Sequence, residues 1–127
     1  MKKTILAMFG AFSILGGCKS TSIENADVNQ FETLVNTQDV QVLDVRTAEE
    51  FSDGFIPGAK NIDVYQPDFL EQVVTTIDKK KPVAIYCRSG KRSMMAAQQL
   101  VKAHYKVINL DGGIMAWDAA GKTVTHE

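Results

Sequence analysis

The stretch Val83-Ala84-Ile85-Tyr86-Cys87-Arg88-Ser89-Gly90-Lys91-Arg92-Ser93 is an apolar run that ends in a cysteine and passes through a short basic loop into a helical segment. An apolar run of this length, bounded by a glycine-containing loop, reads as a buried strand. The strand, loop and helix together place a thiol where an anion is stabilised. A free cysteine has a pKa of about 8.5, and only its thiolate is a good nucleophile. Lowering that value by roughly two units requires about 2.7 kcal/mol of differential stabilisation. A helix N-terminus supplies typically ~0.3–1 kcal/mol, so loop amides or nearby cations have to contribute as well. Gly90 permits the tight bend, and Arg88, Lys91 and Arg92 bring three positive charges.

Two further apolar runs, Val40 to Val45 and Val107 to Leu110, flank this one and alternate with helix-period segments. Val28, Phe31, Leu34 and Val35 form one amphipathic stripe; Phe69, Leu70, Val73, Val74 and Ile77 form a second; Ala97, Leu100, Val101 and Tyr105 form a third. This alternation predicts an α/β domain with a mostly parallel central sheet and helices on both faces. Asp27 or Asn25 is expected to cap the first helix, and Pro67-Asp68 to open the second. The third helix is expected over about Ser93 to His104, a short strand at Ile62-Asp63-Val64, and a last helix over Ile114 to Ala119 carrying Trp117. Sheets of this kind bind ligands at the carboxyl ends of their strands. Cys87 lies at one such end and Asp44-Val45-Arg46 at another.

With 127 residues, 45% hydrophobic and 23% charged, the chain has the composition of one folded domain able to hold a core without disulfides or metals. Fourteen basic against fifteen acidic residues give a net charge of −1, which lacks the electrostatic footprint of nucleic-acid binding. The run Lys79-Lys80-Lys81 reads as a solvated helix end. The N-terminus is different in kind: Lys2-Lys3 precede an apolar stretch from Ile5 to Leu15 that is shorter than the ~20 residues needed to span a bilayer. Residues 1–17 therefore read as an export signal, residues 18–25 as a polar tether and residues 26–127 as the folded domain. Leu15-Gly16-Gly17-Cys18 resembles the lipobox of bacterial lipoproteins, in which the cysteine is acylated; an ordinary cleavable signal or an uncleaved anchor, with Cys18 incidental, is the alternative. The resemblance implies a periplasmic domain held by a lipid anchor, with Lys19 favouring the outer membrane. Acylation of Cys18 would leave Cys87 the only thiol of the mature chain in an oxidising compartment, whereas a Cys18–Cys87 disulfide would tie the tether to a core strand.

From about Val28 to Val124 the chain resembles a single-domain rhodanese, a sulfurtransferase. Three segments carry the likeness: Val42-Leu43-Asp44-Val45-Arg46-Thr47-Ala48-Glu49-Glu50-Phe51 with Gly54-Phe55-Ile56-Pro57-Gly58-Ala59; the loop from Cys87 to Ser93; and Leu110-Asp111-Gly112-Gly113-Ile114-Met115-Ala116-Trp117. Phe55 departs from the histidine usual in the family, at a position outside its sulfur chemistry. The resemblance implies a rhodanese-like fold and transfer of a sulfane sulfur from thiosulfate or a similar donor, through a persulfide on Cys87, to a thiophilic acceptor. It implies no cofactor, and a protein is one option for the acceptor. Cys87 is the expected nucleophile and Arg88, Ser89, Gly90, Lys91, Arg92 and Ser93 the expected substrate-binding loop, with Arg92 and Arg88 holding the sulfonate and Lys91 steering anions. Asp44 and Arg46 are expected to brace that loop, and Gly112, Gly113 and Trp117 to serve turns and packing.

Two rivals share parts of this pattern. Phosphatases of related architecture and arsenate reductases place five residues between cysteine and arginine, whereas only Arg88, Ser89, Gly90 and Lys91 separate Cys87 from Arg92, a tighter loop suited to a sulfur atom. A non-enzymatic persulfide carrier, sulfide sensor or interaction module is the other. For the N-terminus, metabolic labelling with a fatty acid is expected to depend on Cys18; label retained in Cys18→Ser would remove the lipobox.

Overall fold

Alternate residues of the central strands face opposite ways, and the sequence supplies an apolar side chain in both directions. That pattern requires a helical layer on each face. The computed structural model describes residues 22–37 and 39–126, so Cys18, the export signal and the first part of the tether lie outside the described residues. In chain order the elements are β1 (Glu24–Ala26), α1 (Val28–Val35), β2 (Gln41–Asp44), α2 (Ala48–Asp53), β3 (Lys60–Asn61), α3 (Phe69–Thr76), β4 (Val83–Tyr86), α4 (Lys91–Lys102), β5 (Val107–Leu110) and α5 (Gly113–Ala119). The strands form a five-stranded sheet in the order β1-β5-β4-β2-β3, with every neighbouring pair parallel. This is the α/β architecture with a parallel central sheet that the sequence predicts.

Leu43, Val45, Val83, Ile85, Cys87 and Val107 face α3 and α4, where Phe69, Val73, Ala96, Ala97 and Leu100 complete one core. Val42, Ala84, Tyr86, Ile108 and Leu110 face the other way and meet Phe31 of α1 and Trp117 of α5. Phe31 sits edge-on to both Tyr86 and Trp117, at centroid separations of 6.4 and 6.2 Å. Asp27 caps α1 in a reciprocal box with Gln30. The chain leaves β4 through α4 toward β5 on one side of the sheet, and leaves β2 through α2 toward β3 on the other. The carboxyl ends of β2 and β4 therefore flank a topological switch point, the place where open α/β sheets form a crevice.

Three expectations need correction, and one helix lies outside them. Glu24 and Asn25 belong to a strand, not a tether: β1 pairs with Ile108, Asn109 and Leu110. Only Ala26 of the three is buried, so this edge strand carries no apolar signature, and the domain begins before residue 26. The short strand is Lys60–Asn61, not Ile62 to Val64. Ile62 and Val64 are buried and their amides still bond to the carbonyls of Asp44 and Val45, but Asp63 accepts the amide of Tyr65 and turns the chain away. The helix after the cysteine loop starts at Lys91 and ends at Lys102, so Ser93 lies within its first turn. Finally, Ala48–Asp53 is a helix that carries no long apolar stripe; its signal is the capping box of Thr47 and Glu50.

Candidate active site

Cys87 follows the last residue of β4, at the switch point, with no exposed surface. Burial pushes its thiol up. Hydrogen bonds outweigh that push: the Ser93 hydroxyl and the amides of Ser93, Gly90 and Ser89 act on the sulfur and leave its pKa below the ordinary thiol value. The Gly90 amide donates to Sγ at 3.0 Å. Gly90 can do so because it adopts φ 116°, a left-handed conformation that side chains disfavour. Ser93 is buried, and its hydroxyl donates to the Gly90 carbonyl at 3.1 Å, which holds the bend against the first turn of α4.

The loop turns its amides inward because its first carbonyls are occupied elsewhere. The amides of Ile114 and Met115, at the start of α5, donate to the carbonyls of Cys87 and Arg88 at 2.9 and 3.1 Å. That contact needs glycine at 113. Its φ is 64°, and a Cβ there would stand 2.3 Å from the Arg88 carbonyl oxygen and 2.7 Å from that of Cys87. Gly113 is thus more than a turn residue, since it lets one helix start pin the peptide that carries Cys87.

The three cations of the loop have different environments. Arg88 and Lys91 are exposed and make no ion pair among the described residues. A groove of about 500 Å³ runs beside the loop, with Arg88, Arg46, Glu50, Gly54, Ile114 and Met115 in its lining. Arg92, expected to hold a sulfonate, instead gives both Nη atoms to Glu50 of α2, at 2.7 and 2.9 Å. Chiefly through that hydrogen bonding, the Glu50 carboxyl is held down from its ordinary 4.5 to about 2. The pair bridges α2 and α4 across the crevice. Sequence reasoning missed Glu50 as a site residue because its partner is 42 residues away.

Asp44 and Arg46 do not reach the cysteine loop. Both are buried. The Arg46 backbone amide donates to Asp44 Oδ1 at 2.9 Å, and its guanidinium folds back onto the same carboxylate, with Nη2–Oδ2 at 2.7 Å. Nη2 also donates to the Gly54 carbonyl at 2.7 Å. Burial acts against the Arg46 charge, but bonding to Asp44 prevails and its pKa is raised. The pair braces the end of β2 to the segment after α2, and contact with β4 runs through Tyr86, whose ring lies 5.8 Å from the Arg46 guanidinium carbon. The Tyr86 hydroxyl accepts the Ile56 amide, and burial pushes its phenol up. Phe55 stacks on Phe51 at 4.0 Å, so the departure noted in the sequence is absorbed as aromatic packing. Trp117 donates its indole N–H to the Thr123 carbonyl at 2.7 Å, a packing and anchoring role.

Residues 27–120 match the Rhodanese-like domain family. The chain belongs to that family. Among curated rhodanese relatives, Thiosulfate sulfurtransferase 18 of Arabidopsis thaliana is 35% identical over 117 residues, 83% of this chain and 85% of that protein. Thiosulfate sulfurtransferase GlpE of Shewanella oneidensis is 32% identical, covering 79% of this chain and 97% of its own. Among solved rhodanese structures, a rhodanese-related protein from Thermoplasma volcanium superposes with a TM-score of 0.72 at 25% identity, over 82% of this chain and 99% of that one. A rhodanese-like domain protein from Staphylococcus aureus gives 0.69 at 27% identity, over 82% and 98%.

Two predictions follow from the contacts of this rhodanese loop. Gly113→Ala is expected to cost more than about 1 kcal/mol in chemical denaturation, because the left-handed φ and the two carbonyls leave a methyl no room. Unchanged stability would contradict the pinning. For Glu50, the folded pKa lies below the unfolded one, so its bond to Arg92 stabilises fully above pH 4.5 and less as the pH falls toward about 2. The difference in melting temperature between the native chain and Arg92→Met is expected to be constant above pH 4.5 and to shrink toward pH 2. A difference independent of pH over that range would contradict it.

Proposed function

We propose that this rhodanese-like domain is a sulfurtransferase that takes a sulfane sulfur from thiosulfate or a similar donor and passes it, through a persulfide on Cys87, to a thiophilic acceptor. The observation that carries the proposal is the buried Cys87 sulfur that accepts the Gly90 amide at 3.0 Å, with its thiol pKa lowered by the Ser93, Gly90 and Ser89 groups of the same loop. Such donors stabilise negative charge without rearranging during the reaction. The thiolate of Cys87 attacks the outer sulfur of thiosulfate; a new S–S bond forms, the original S–S bond breaks, and its electron pair leaves with sulfite. The product is a persulfide anion held by the same amides. A nucleophilic acceptor then attacks the outer sulfur and returns the electron pair to Cys87 as thiolate. The lowered thiol pKa favours the thiolate, so the scheme assigns no general base.

Arg88 and Lys91 are exposed cations without ion-pair partners among the described residues, suited to attracting and holding an anionic donor. Support also comes from relatives named as thiosulfate sulfurtransferases at 35% and 32% identity. On the sequence of residues 1–18, the domain acts outside the cytoplasm on a lipid tether at Cys18, with the outer membrane as its site.

Incubation of the purified protein with thiosulfate is expected to add one sulfur atom to Cys87 in an intact-mass measurement. The adduct should be removed by cyanide and absent from Cys87→Ser. Failure to gain sulfur from any sulfane donor would overturn the transferase, and turnover of an aryl phosphate would favour a phosphatase.

A further inference from the structure

The Glu50–Arg92 pair is tighter than a casual surface contact. Both carboxylate oxygens are engaged: Oε2 accepts Arg92 Nη2, while Oε1 accepts Arg92 Nη1, the Thr47 amide and the Thr47 hydroxyl, the last two at 3.1 Å. The Thr47 hydroxyl in return accepts the Glu50 amide at 3.2 Å. Glu50 is therefore fixed on α2 before it meets Arg92, and the two side chains keep only 30% and 17% of their surface exposed. A carboxylate pinned in this way does not swing aside for an incoming anion. It also cancels the charge of the one loop cation that is partly buried.

Charge counting at the sulfur gives this cancellation a consequence. Thiosulfate brings two negative charges to a thiolate that already carries one, so its approach depends on local positive charge. A thiosulfonate, with an organic group on the central sulfur in place of one oxygen, brings a single charge. We infer that Glu50 is a specificity-determining positioning residue that withholds Arg92 from the sulfur donor, leaving Arg88 and Lys91 to bind it and biasing the site against dianionic donors relative to monoanionic ones. The inference rests on the sulfurtransferase reading and deepens it.

Glu50→Gln is the informative variant, because glutamine keeps the neutral hydrogen bonds of a capping box while releasing the guanidinium charge. With thiosulfate as donor, kcat/KM for loading Cys87 is expected to rise about three- to tenfold, mainly through a lower KM. With benzenethiosulfonate, a monoanion, the rise should be smaller. In Glu50→Gln/Arg92→Gln the gain should disappear, since the released charge is its source. An equal loss with both donors would mean that Glu50 only supports the loop, and an equal gain would mean that donor charge is not sensed; either result overturns the inference. Thiolate absorbance provides a readout independent of turnover. The Cys87 titration midpoint should fall in Glu50→Gln and recover in the double variant, and an unchanged midpoint would overturn the inference. If the native chain takes sulfur from neither donor, the transferase reading fails, and the titration alone decides whether Glu50 masks the Arg92 charge.

Discussion

The backbone bonds from the Ile114 and Met115 amides to the carbonyls of Cys87 and Arg88 are the constraint on which the site depends. A loop leaving a strand end has carbonyls and amides to satisfy, and the two sets point in opposite directions. Once α5 takes the carbonyls, the amides that follow turn toward Sγ, and Gly90 is free to donate to it. Gly113 makes this contact possible by presenting no side chain to the two carbonyl oxygens. Cys87 is thus held by an element that contributes no side chain to its loop. The placement of α5 comes in turn from the core, where Trp117 packs on Phe31 and reaches the Thr123 carbonyl.

Electrostatics on the two sides of the switch point are arranged differently. On the β2 side, Asp44 and Arg46 form a buried pair that also holds the Gly54 carbonyl. Removing one partner of such a pair typically costs about 3–5 kcal/mol, because it leaves the other charge buried and uncompensated. Its function here is geometric. On the β4 side, the Glu50–Arg92 pair is partly exposed and links α2 to α4 over the crevice. Positive charge is consequently concentrated at Arg88 and Lys91, outside the buried part of the loop, and stabilisation of the sulfur itself is left to dipoles. Fixed dipoles suit the proposed transfer, in which charge stays on sulfur as a thiolate becomes a persulfide.

Much of this architecture is legible in the chain. The apolar runs at Val40, Val83 and Val107 and the stripes through Phe31, Val73 and Leu100 are periodic signals from both layers of the core, and they lead to a parallel sheet with Cys87 at a strand end. Two elements without such a signal were not legible. Glu24–Ala26 is a short, largely polar edge strand held by backbone bonds to β5, and Ala48–Asp53 is six residues long and announces itself only through Thr47 and Glu50. The cations of the loop can be counted from the sequence, but their partners cannot. Arg92 finds Glu50 across 42 residues of chain, so a charge expected at the substrate is spent within the protein, and Arg46, expected to brace the cysteine loop, turns back onto Asp44.

Hydrogen bonds from the loop lower the Cys87 thiol pKa despite complete burial of the residue. Ultraviolet titration of thiolate absorbance, taken as the difference between the native chain and Cys87→Ser, measures this directly. The midpoint is expected below that of an ordinary cysteine thiol, and higher in Ser93→Ala, which loses a hydroxyl that lowers the thiol pKa. A midpoint at or above that of free cysteine would show that burial outweighs the loop, and would contradict the account.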